Sequence, residues 1–299
     1  IEIRDSKFCS SAVGKIGGVQ ALNLAAACMK IGTIAHEIAH SLGIFHTQSR
    51  SDRDDFVDVE WENISPTMRH NFNKEALERA DIHEIPYEFG SVMHYAEDDF
   101  AIDQSKSTLR AKTLNAIYQK SMLGRMPTFF DVFQMNKHLG CFDLCTTSVS
   151  CSNGGVQDVT NCSKCRCPMG WSGDFCDQRP QNTIILNATE IPQVFKHRAG
   201  DKNVDTSLVY QEIFYLFKAL PGQLVEFTPK VLGTQWTNSC ETMGLEVQVN
   251  ADPRYAGVQL CDWRESYSPI TSPTNELMVL AYTRGGLSAA DFTYRSVPS

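Results

Sequence analysis

The spacing of hydrophobic and polar positions changes twice along the chain and divides it into three segments. Residues 1–141 combine short alternating runs with stretches of helical spacing, which is typical of an α+β fold. Residues 178–299 contain short apolar runs separated by Pro-Gly and Gly-Gly breaks, and this pattern favours an all-β sandwich. Residues 142–177 are dense in cysteine and too few to bury a sufficient core. The pattern therefore predicts a multidomain protein with a small disulfide-rich module between two larger domains.

In the first segment the pattern predicts two strands and three helices. IEIRD at 1–5 and GGVQALNLA at 17–25 predict short strands, the second with partial alternation. SPTMRHNFNKEALERA at 65–80 and PTFFDVFQMNKHLG at 127–140 have helical spacing and begin with the start signals Ser-Pro and Pro-Thr. The third helix lies in GTIAHEIAHSLGIFHTQSRSDRD at 32–54, where many apolar residues predict a largely buried helix.

This buried helix carries a histidine pattern that predicts a metal site. His36 and His40 are four residues apart and lie on one helix face, where two imidazole nitrogens can bind a single zinc ion. Gly43 can adopt the left-handed conformation that ends a helix, so that His46 can supply a third nitrogen. Three protein ligands leave one position for water, as in catalytic zinc sites. The pattern predicts one catalytic Zn2+ per chain.

Glu37 adds a carboxylate beside the first histidine. It cannot share the direction of His36, but it can lie at the edge of the metal, accept a proton from bound water and pass it to a leaving amine. Two alternatives stay open, namely a buried helix with incidental histidines and a structural zinc site. The first requires Gly43 and His46 to match by chance, and the second has no evident fourth protein ligand other than Tyr95.

Composition and charge restrict the compartment and the partners. The 299 residues carry a formal net charge of −8, which disfavours nucleic-acid and acidic-membrane partners. No apolar run of about 18 residues is present, so no membrane span is predicted. Eleven cysteines, most of them between residues 141 and 176, are typical of an oxidising compartment. The chain is therefore expected to be secreted, with candidate glycosylation sites at Asn63, Asn161 and Asn187.

The spacing of the cysteines predicts several disulfide bonds. Cys9 and Cys28 flank the second strand, Cys240 and Cys261 bracket a predicted hairpin, and each pair is expected to form a bond. The central module ends in Cys-x-Cys-Pro-x-Gly-Trp-x-Gly-x-x-Cys, which resembles the EGF-like repeat; a zinc ribbon is the alternative. Spacing alone leaves fifteen connectivities open for its six cysteines. The resemblance implies the pairs Cys145–Cys162, Cys151–Cys165 and Cys167–Cys176.

The third segment resembles the CUB domain. The resemblance is carried by GLEV at 244–247, ITSPTNELMVLAYT at 270–283 and ADFTY at 290–294, together with the cysteine pair. Calcium-binding CUB domains have an aspartate where this chain has Met243, which disfavours calcium-dependent adhesion. Asp143 is likewise a poor match to the acidic residues before the first cysteine of calcium-binding EGF-like repeats. No calcium is therefore expected in the central module.

A second motif connects the histidine pattern to a known family. SVMHY at 91–95 follows HExxHxxGxxH by some fifty residues, as does the methionine turn beneath the zinc of metzincins. With RSDRD at 50–54, these motifs resemble the astacin family of zinc endopeptidases. The resemblance implies that Tyr95 coordinates zinc at rest and then donates a hydrogen bond to the oxyanion. The other implied roles are zinc ligands for His36, His40 and His46, general base for Glu37, and hydrophobic floor for Met93.

The resemblance covers the chain as three consecutive domains. It implies an astacin-like protease domain at 1–141, an EGF-like module at 142–177 and a CUB-like sandwich at 178–299. The implied function is a secreted zinc-dependent endopeptidase that hydrolyses proteins or peptides, for which extracellular matrix, cuticle collagen, egg envelope and food protein are all suitable substrates. The alternative is an inactive astacin-derived binding protein that acts through its two later modules.

The chain departs from the family in two respects. Thr47 stands where the family usually has a glutamate that contacts the freed N-terminus of the mature enzyme. The first strands and helix expected of the protease domain are absent, and Cys141 is left without a partner by the pairs above. We therefore expect a protease domain that is incomplete at its N-terminus, with Cys141 unpaired.

Overall fold

The structure is a computed structural model that describes residues 1–201, 203, 209–232, 240–261 and 267–299. The chain divides into two units, Ile1–Ser148 and Val149–Ser299. Most of the cysteine-rich segment groups with the β-rich segment, so the three predicted segments are arranged as two units. The domain boundaries after residues 141 and 177 stay predictions.

The first unit combines two α-helices with short strands. The helices are α1 (Ile31–Ser41) and α2 (Phe129–His138), and the strands are β1 (Glu2–Asp5), β2 (Ser10–Ser11), β3 (Ala21–Leu24), β4 (Val57–Val59) and β5 (Leu109–Ala111). β3 pairs in parallel with β1 and antiparallel with β2, and β4 pairs antiparallel with β5. The two predicted strands and the α+β character are confirmed. Short 3-10 helices span Ala26–Cys28, Thr47–Ser49, Arg53–Asp55, Trp61–Asn63, Pro66–Phe72, Thr113–Ser121 and Cys141–Leu144.

The helix predicted over residues 65–80 is wrong for most of its length. A 3-10 helix spans Pro66–Phe72, and the chain is extended directly after it. Arg53 donates a hydrogen bond to the carbonyl of the last residue of this turn, and the amide of Glu75 donates to the carbonyl of Ser49 at 2.7 Å. These tertiary hydrogen bonds engage backbone groups that an α-helix would pair internally. Contacts with the rest of the unit therefore override the helical spacing.

The helix predicted over residues 127–140 is α2, and its ends follow signals in the sequence. Thr128 Oγ1 accepts a hydrogen bond from the Asp131 amide at 3.1 Å, while Asp131 Oδ2 accepts one from the Thr128 amide at 2.9 Å. This reciprocal capping satisfies two amide groups that have no partner within the helix. Gly140 follows the helix with a φ of +66°, a left-handed conformation that favours glycine.

The second unit contains a small hairpin and two larger sheets. Its strands are β6 (Val156–Gln157), β7 (Cys165–Arg166), β8 (Thr183–Asn187), β9 (Gln193–Asp201), β10 (Gln211–Lys218), β11 (Gln223–Leu232), β12 (Met243–Val247), β13 (Val258–Leu260), β14 (Ile270–Thr271), β15 (Glu276–Thr283) and β16 (Gly286–Pro298). The sheets have the strand orders β13-β12-β15-β10-β8 and β14-β11-β16-β9. Phe217 of the first sheet contacts Phe227 and Phe292 of the second. The buried aromatic faces therefore meet, and the predicted β-sandwich is confirmed.

Arg179 joins the cysteine-rich residues of this unit to the sandwich. Its guanidinium carbon lies 3.6 Å from the centroid of the Trp171 ring, and its Nη1 donates to the Gly170 carbonyl at 3.1 Å. Its Nη2 donates to Glu276 at 2.7 Å, at the start of β15, where Lys218 also pairs with the carboxylate. Stacking and charge-assisted hydrogen bonds hold the Gly-Trp turn against the sheet. These contacts explain why the two parts form one unit.

A buried histidine lies between the two sheets. His197 is 1% exposed, with Nδ1 2.8 Å from the Tyr215 hydroxyl and Nε2 3.2 Å from Ser288 Oγ. Burial, with a smaller contribution from the Arg198 charge, lowers the pKa of His197 to about 4. The imidazole is therefore neutral in the folded protein near pH 7.

This lowered pKa makes the stability of the second unit depend on pH. The unfolded chain binds the proton near pH 6.5, so the contribution of His197 to stability is complete above that pH and is lost as the pH falls toward 4. We expect this group to lower the free energy of unfolding by on the order of 1–3 kcal/mol between pH 7 and 4.5. Denaturant unfolding at both pH values measures the change, and His197→Gln should show less of it. An identical pH dependence in the two proteins would contradict the assignment.

Candidate metal centre

α1 ends at Ser41 in a turn that reverses the chain. The amide of Gly43 donates to the carbonyl of His40 at 2.9 Å as the helix ends. Gly43 has a φ of +102°, and a Cβ atom there would lie 2.7 Å from Nε2 of His138. Conformation and space both favour glycine at this position. The turn returns His46 to the side of α1 that carries the other two histidines.

The three predicted histidines converge in the structure. Nε2 of His46 lies 3.0 Å from Nε2 of His40 and 3.2 Å from Nε2 of His36. The candidate ligand atoms all lie within 4.8 Å of one another. Tetrahedral zinc with bonds of about 2.0–2.1 Å places nitrogen ligands roughly 3.3 Å apart, so the observed spacing fits this ion.

Backbone carbonyl groups fix the protonation of two of these rings. Nδ1 of His36 lies 2.6 Å from the Val92 oxygen, and Nδ1 of His40 lies 2.8 Å from the Ile44 oxygen. Because a carbonyl oxygen only accepts, each Nδ1 carries the hydrogen and each Nε2 presents a lone pair. Burial lowers the pKa of all three rings, to about 4 for His40 and about 2 for His46, where the neighbouring histidines contribute further. Neutral imidazoles with converging lone pairs are the form that binds a cation.

Glu37 is buried on the same helix. Its Oε2 is inaccessible and has no hydrogen-bond partner among the described atoms. Burial raises the pKa of Glu37 to about 7, against a smaller opposing effect of a hydrogen bond from the Ser11 backbone. An unpartnered buried carboxylate oxygen is costly unless a cation or water satisfies it, so this residue also fits an ion at the three nitrogens.

The expectation of a largely buried helix is wrong at Ile38, which is 42% exposed because it lies away from this face.

Met93 and Tyr95 lie in the turn that faces the histidines. Met93 is buried in an apolar cluster with Ala39, Ile44 and Val92. Ala39 precedes His40 in the chain, and the Val92 oxygen is bonded to His36. The Tyr95 ring centroid lies 4.5 Å from that of His46, and the Tyr95 amide donates to Gln48 at 3.2 Å. Burial raises the pKa of Tyr95, so its hydroxyl keeps its proton and can donate a hydrogen bond. The structure thus brings the predicted floor methionine and tyrosine to the histidine cluster.

A hydrogen-bonded chain of three buried side chains supports this turn. Thr47 Oγ1 donates to Ser91 Oγ at 3.2 Å, and Ser91 Oγ donates to Asp131 Oδ1 at 2.5 Å. Asp131 Oδ2 accepts from the Val92 amide at 3.0 Å, and the Thr47 amide donates to the Met93 carbonyl at 2.9 Å. The residue after the third histidine is therefore tied to the methionine turn and to the start of α2. Ser91 and Asp131 were not predicted from the sequence as parts of the site, although Thr-x-x-Asp at 128–131 signals a helix start.

The structure pairs ten of the eleven cysteines, all of which lie in the described ranges. Cys141 has no disulfide partner and is partly buried. Cys145 and Cys162 are both disulfide-bonded, and the remaining pairs leave them to one another. The remaining pairs are Cys9–Cys28, Cys151–Cys165, Cys167–Cys176 and Cys240–Cys261.

The three sequon asparagines lie apart from the histidine cluster and differ in their surroundings. Asn161 and Asn187 are exposed. Asn63 is partly buried, and its Nδ2 donates to the carbonyl groups of Asp103, Lys106 and Ser107 at 3.2, 2.8 and 3.2 Å. Within the described structure, only Asn161 and Asn187 of the three therefore present an Nδ2 group without a hydrogen-bond partner to solvent.

The histidine cluster of the first unit could hold a metal ion, and comparisons with known proteins identify the family of the chain. The profile "Astacin (Peptidase family M12A)" matches residues 1–140. Zinc metalloproteinase nas-31 of Caenorhabditis elegans is 33% identical over 99% of the chain, which spans 49% of that protein. Zinc metalloproteinase nas-25 of the same organism is 33% identical over 99% of the chain and 76% of its own length. The chain therefore belongs to the astacin family.

The chain is also similar to a protein of known structure. High choriolytic enzyme 1, a hatching enzyme zinc-protease from Oryzias latipes, is 34% identical over 45% of the chain and 65% of its own length, with a TM-score of 0.41.

The described part of the chain contains no helix that is long and apolar enough to cross a membrane.

Thr47→Val tests the hydrogen-bonded chain beneath the metal centre. The substitution keeps the shape of the side chain but removes the donor to Ser91, so we expect a loss of about 1 kcal/mol in the free energy of unfolding and weaker zinc binding. Thr47→Ser keeps the hydroxyl group and serves as the matched control. Chelator competition measures zinc affinity, and denaturant unfolding measures stability. If valine and serine variants behaved alike in both measurements, the hydrogen bond would have no role at the site.

Proposed function

We propose that this protein is an extracellular zinc-dependent endopeptidase. The observation that carries the proposal is the convergence of three neutral imidazole nitrogens beside a buried, unpartnered carboxylate on the same helix. A structural zinc site is closed by four protein ligands, whereas this cluster provides three histidines and leaves a carboxylate free for proton transfer. The chain spans only about half the length of nas-31, so its activity and its substrates are proposals.

His36, His40 and His46 would hold one Zn2+ through their Nε2 atoms, and Tyr95 is the candidate fourth ligand at rest. Bound zinc would lower the pKa of a water molecule and polarise the carbonyl group of the scissile bond. The carbonyl groups of Val92 and Ile44 keep two of these imidazoles in the binding tautomer.

Glu37 performs the proton transfers in this proposal. Its carboxylate accepts one proton from the attacking water, whose oxygen forms the new bond to the peptide carbon. The same carboxyl group then delivers that proton to the amine nitrogen as the C–N bond breaks, so the residue ends in its starting state. Its burial suits this role because both protonation states are accessible near neutral pH.

Tyr95 stabilises the charge that develops on the substrate oxygen. Its raised pKa keeps the phenol protonated, and the hydroxyl donates a hydrogen bond to the oxyanion. The Gln48 side chain and the neighbouring Phe72 and Phe100 rings contact Tyr95 and limit its positions. The substrates are proteins or peptides outside the cell, with matrix and cuticle proteins as the proposed class.

A second candidate is an inactive binding protein that acts through the EGF-like and CUB-like modules. Thr47, which differs from the usual glutamate of the family, favours it. Incubation of the purified chain with a quenched peptide library, with zinc, with a chelator and after zinc restoration, distinguishes the two functions. Cleavage that disappears with the chelator and returns with zinc supports the peptidase, and a zinc-loaded chain without cleavage supports the binding protein.

Glu37→Gln should abolish most turnover while leaving zinc in place. The amide cannot accept the proton, so we expect kcat to fall by several powers of ten, on the order of 10²–10⁴-fold or more. Elemental analysis of the same preparation should show one zinc per chain. His46→Ala is the contrasting control, because it should lose the metal itself. Near-normal turnover in Glu37→Gln would exclude the assigned role.

Tyr95→Phe should reduce turnover without releasing the metal. Removal of one oxyanion donor is expected to lower kcat by roughly ten- to a thousandfold, with little change in KM or zinc affinity. Steady-state kinetics and chelator competition provide the two measurements. Unchanged kcat would leave Tyr95 with a structural role only.

A further inference from the structure

The edges of the β-sandwich are protected unequally. Among the described residues the two sheets have four edge strands, of which β13 has three residues and β14 has two. Short edges are poor templates for another strand. β9 is longer, but it carries Lys196, Arg198 and Asp201, and charged residues oppose edge-to-edge pairing. These three edges therefore have recognisable protection.

The fourth edge, β8, lacks these devices. Its sequence is Thr-Ile-Ile-Leu-Asn at 183–187, without charge or proline, and within the described residues it pairs only with β10. Ile184 is 41% exposed and Ile185 is 57% exposed. An uncharged apolar strand with one unpaired edge is a template for pairing with a second copy of the chain.

Asn187 is the last residue of this strand and begins the sequon Asn-Ala-Thr at 187–189. In the register with β10, Ile185 is opposite Leu216 and Asn187 is opposite Lys218, so the two side chains lie on the same face of the sheet. Asn187 is exposed, and Ile191, in the connection that follows β8, is strongly exposed as well. A group attached to Asn187 would lie beside the unprotected edge.

We propose that Asn187 carries an N-linked glycan that prevents β8 from pairing with another chain. An added strand would have to approach β8 to about 4.8 Å, and a branched carbohydrate at the end of the strand occupies that space. The proposal relies on the proposed extracellular location, since the modification is made in the secretory pathway, but it does not depend on peptidase activity.

The three sequon asparagines differ in whether their Nδ2 groups are free to carry a glycan. A glycan on Asn63 would remove one of the two Nδ2 hydrogens that serve three carbonyl groups, so the folded structure opposes modification there. Asn161 is exposed in the cysteine-rich part, where its Oδ1 accepts a hydrogen bond from Ser163 at 2.7 Å and its Nδ2 is unengaged in the described structure. Asn161 therefore accepts a glycan equally well without lying on β8, which makes it a suitable control.

The test uses the full 299-residue chain secreted from a eukaryotic host behind an added signal peptide. Glycopeptide mapping should find carbohydrate on Asn187 and none on Asn63. Size-exclusion chromatography with light scattering then compares Asn187→Gln with Asn161→Gln. We expect loss of the monomer peak to dimers and larger species for Asn187→Gln, and a wild-type profile for Asn161→Gln. Adding Ile185→Lys to Asn187→Gln should restore the monomer, because the lysine places a charge on the edge.

If Asn187→Gln is not secreted, a second measurement tests whether the glycan prevents association. Wild-type protein made with high-mannose glycans can be trimmed after folding to a single sugar by an endoglycosidase. The proposal expects the trimmed protein to lose its monomer peak over time, whereas trimmed Asn187→Gln/Ile185→Lys, if secreted, stays monomeric. An unmodified Asn187 in the secreted wild type, or a trimmed wild type that remains monomeric, would overturn it. Both outcomes are read without a substrate, so they are independent of whether the chain cleaves peptides.

Discussion

Two backbone carbonyl groups determine what the histidine cluster can bind. The oxygens of Val92 and Ile44 accept the Nδ1 hydrogens of His36 and His40, which leaves the Nε2 lone pairs directed at one another. Nε2 of His46 lies 3.0 Å from that of His40 and 3.2 Å from that of His36, a spacing at which a single cation can bind all three nitrogens. The position of two peptide groups therefore fixes the tautomers of His36 and His40, while burial of the rings lowers their pKa values, and the two effects together favour a metal.

These peptide groups are themselves held by the surrounding hydrogen bonds. The amide groups of Val92 and Thr128 both donate to the carboxylate of Asp131, so the start of α2 and the methionine turn share one carboxylate. Ile44 follows the left-handed Gly43, where a side chain would contact His138. The ligand geometry thus depends on residues that never reach the metal, as is general for metal sites.

The sequence predicted the parts of this site that depend on local spacing. Helical periodicity placed His36, Glu37 and His40, and Gly43 signalled the turn that returns His46. It did not reveal Asp131, because a capping residue gives no sign of a second partner some forty residues earlier in the chain. The helix predicted over residues 65–80 was wrong for a related reason, since Arg53 and Ser49 engage its backbone from distant positions. Local pattern is informative where neighbours in sequence determine the structure, and much less so where tertiary hydrogen bonds do.

The Arg179 contact with Trp171 and Glu276 has a consequence for recognition by the second unit. Small extracellular modules joined by free linkers rotate independently, and a ligand that bridges them must restrict that rotation on binding. Here the cation–π stack and the ion pair have already removed that freedom within the unit. A ligand spanning the Gly-Trp turn and the start of β15 would meet a preorganised surface with a high effective local concentration of its second contact. Such a ligand would therefore bind the two parts without the entropy cost of fixing their relative orientation.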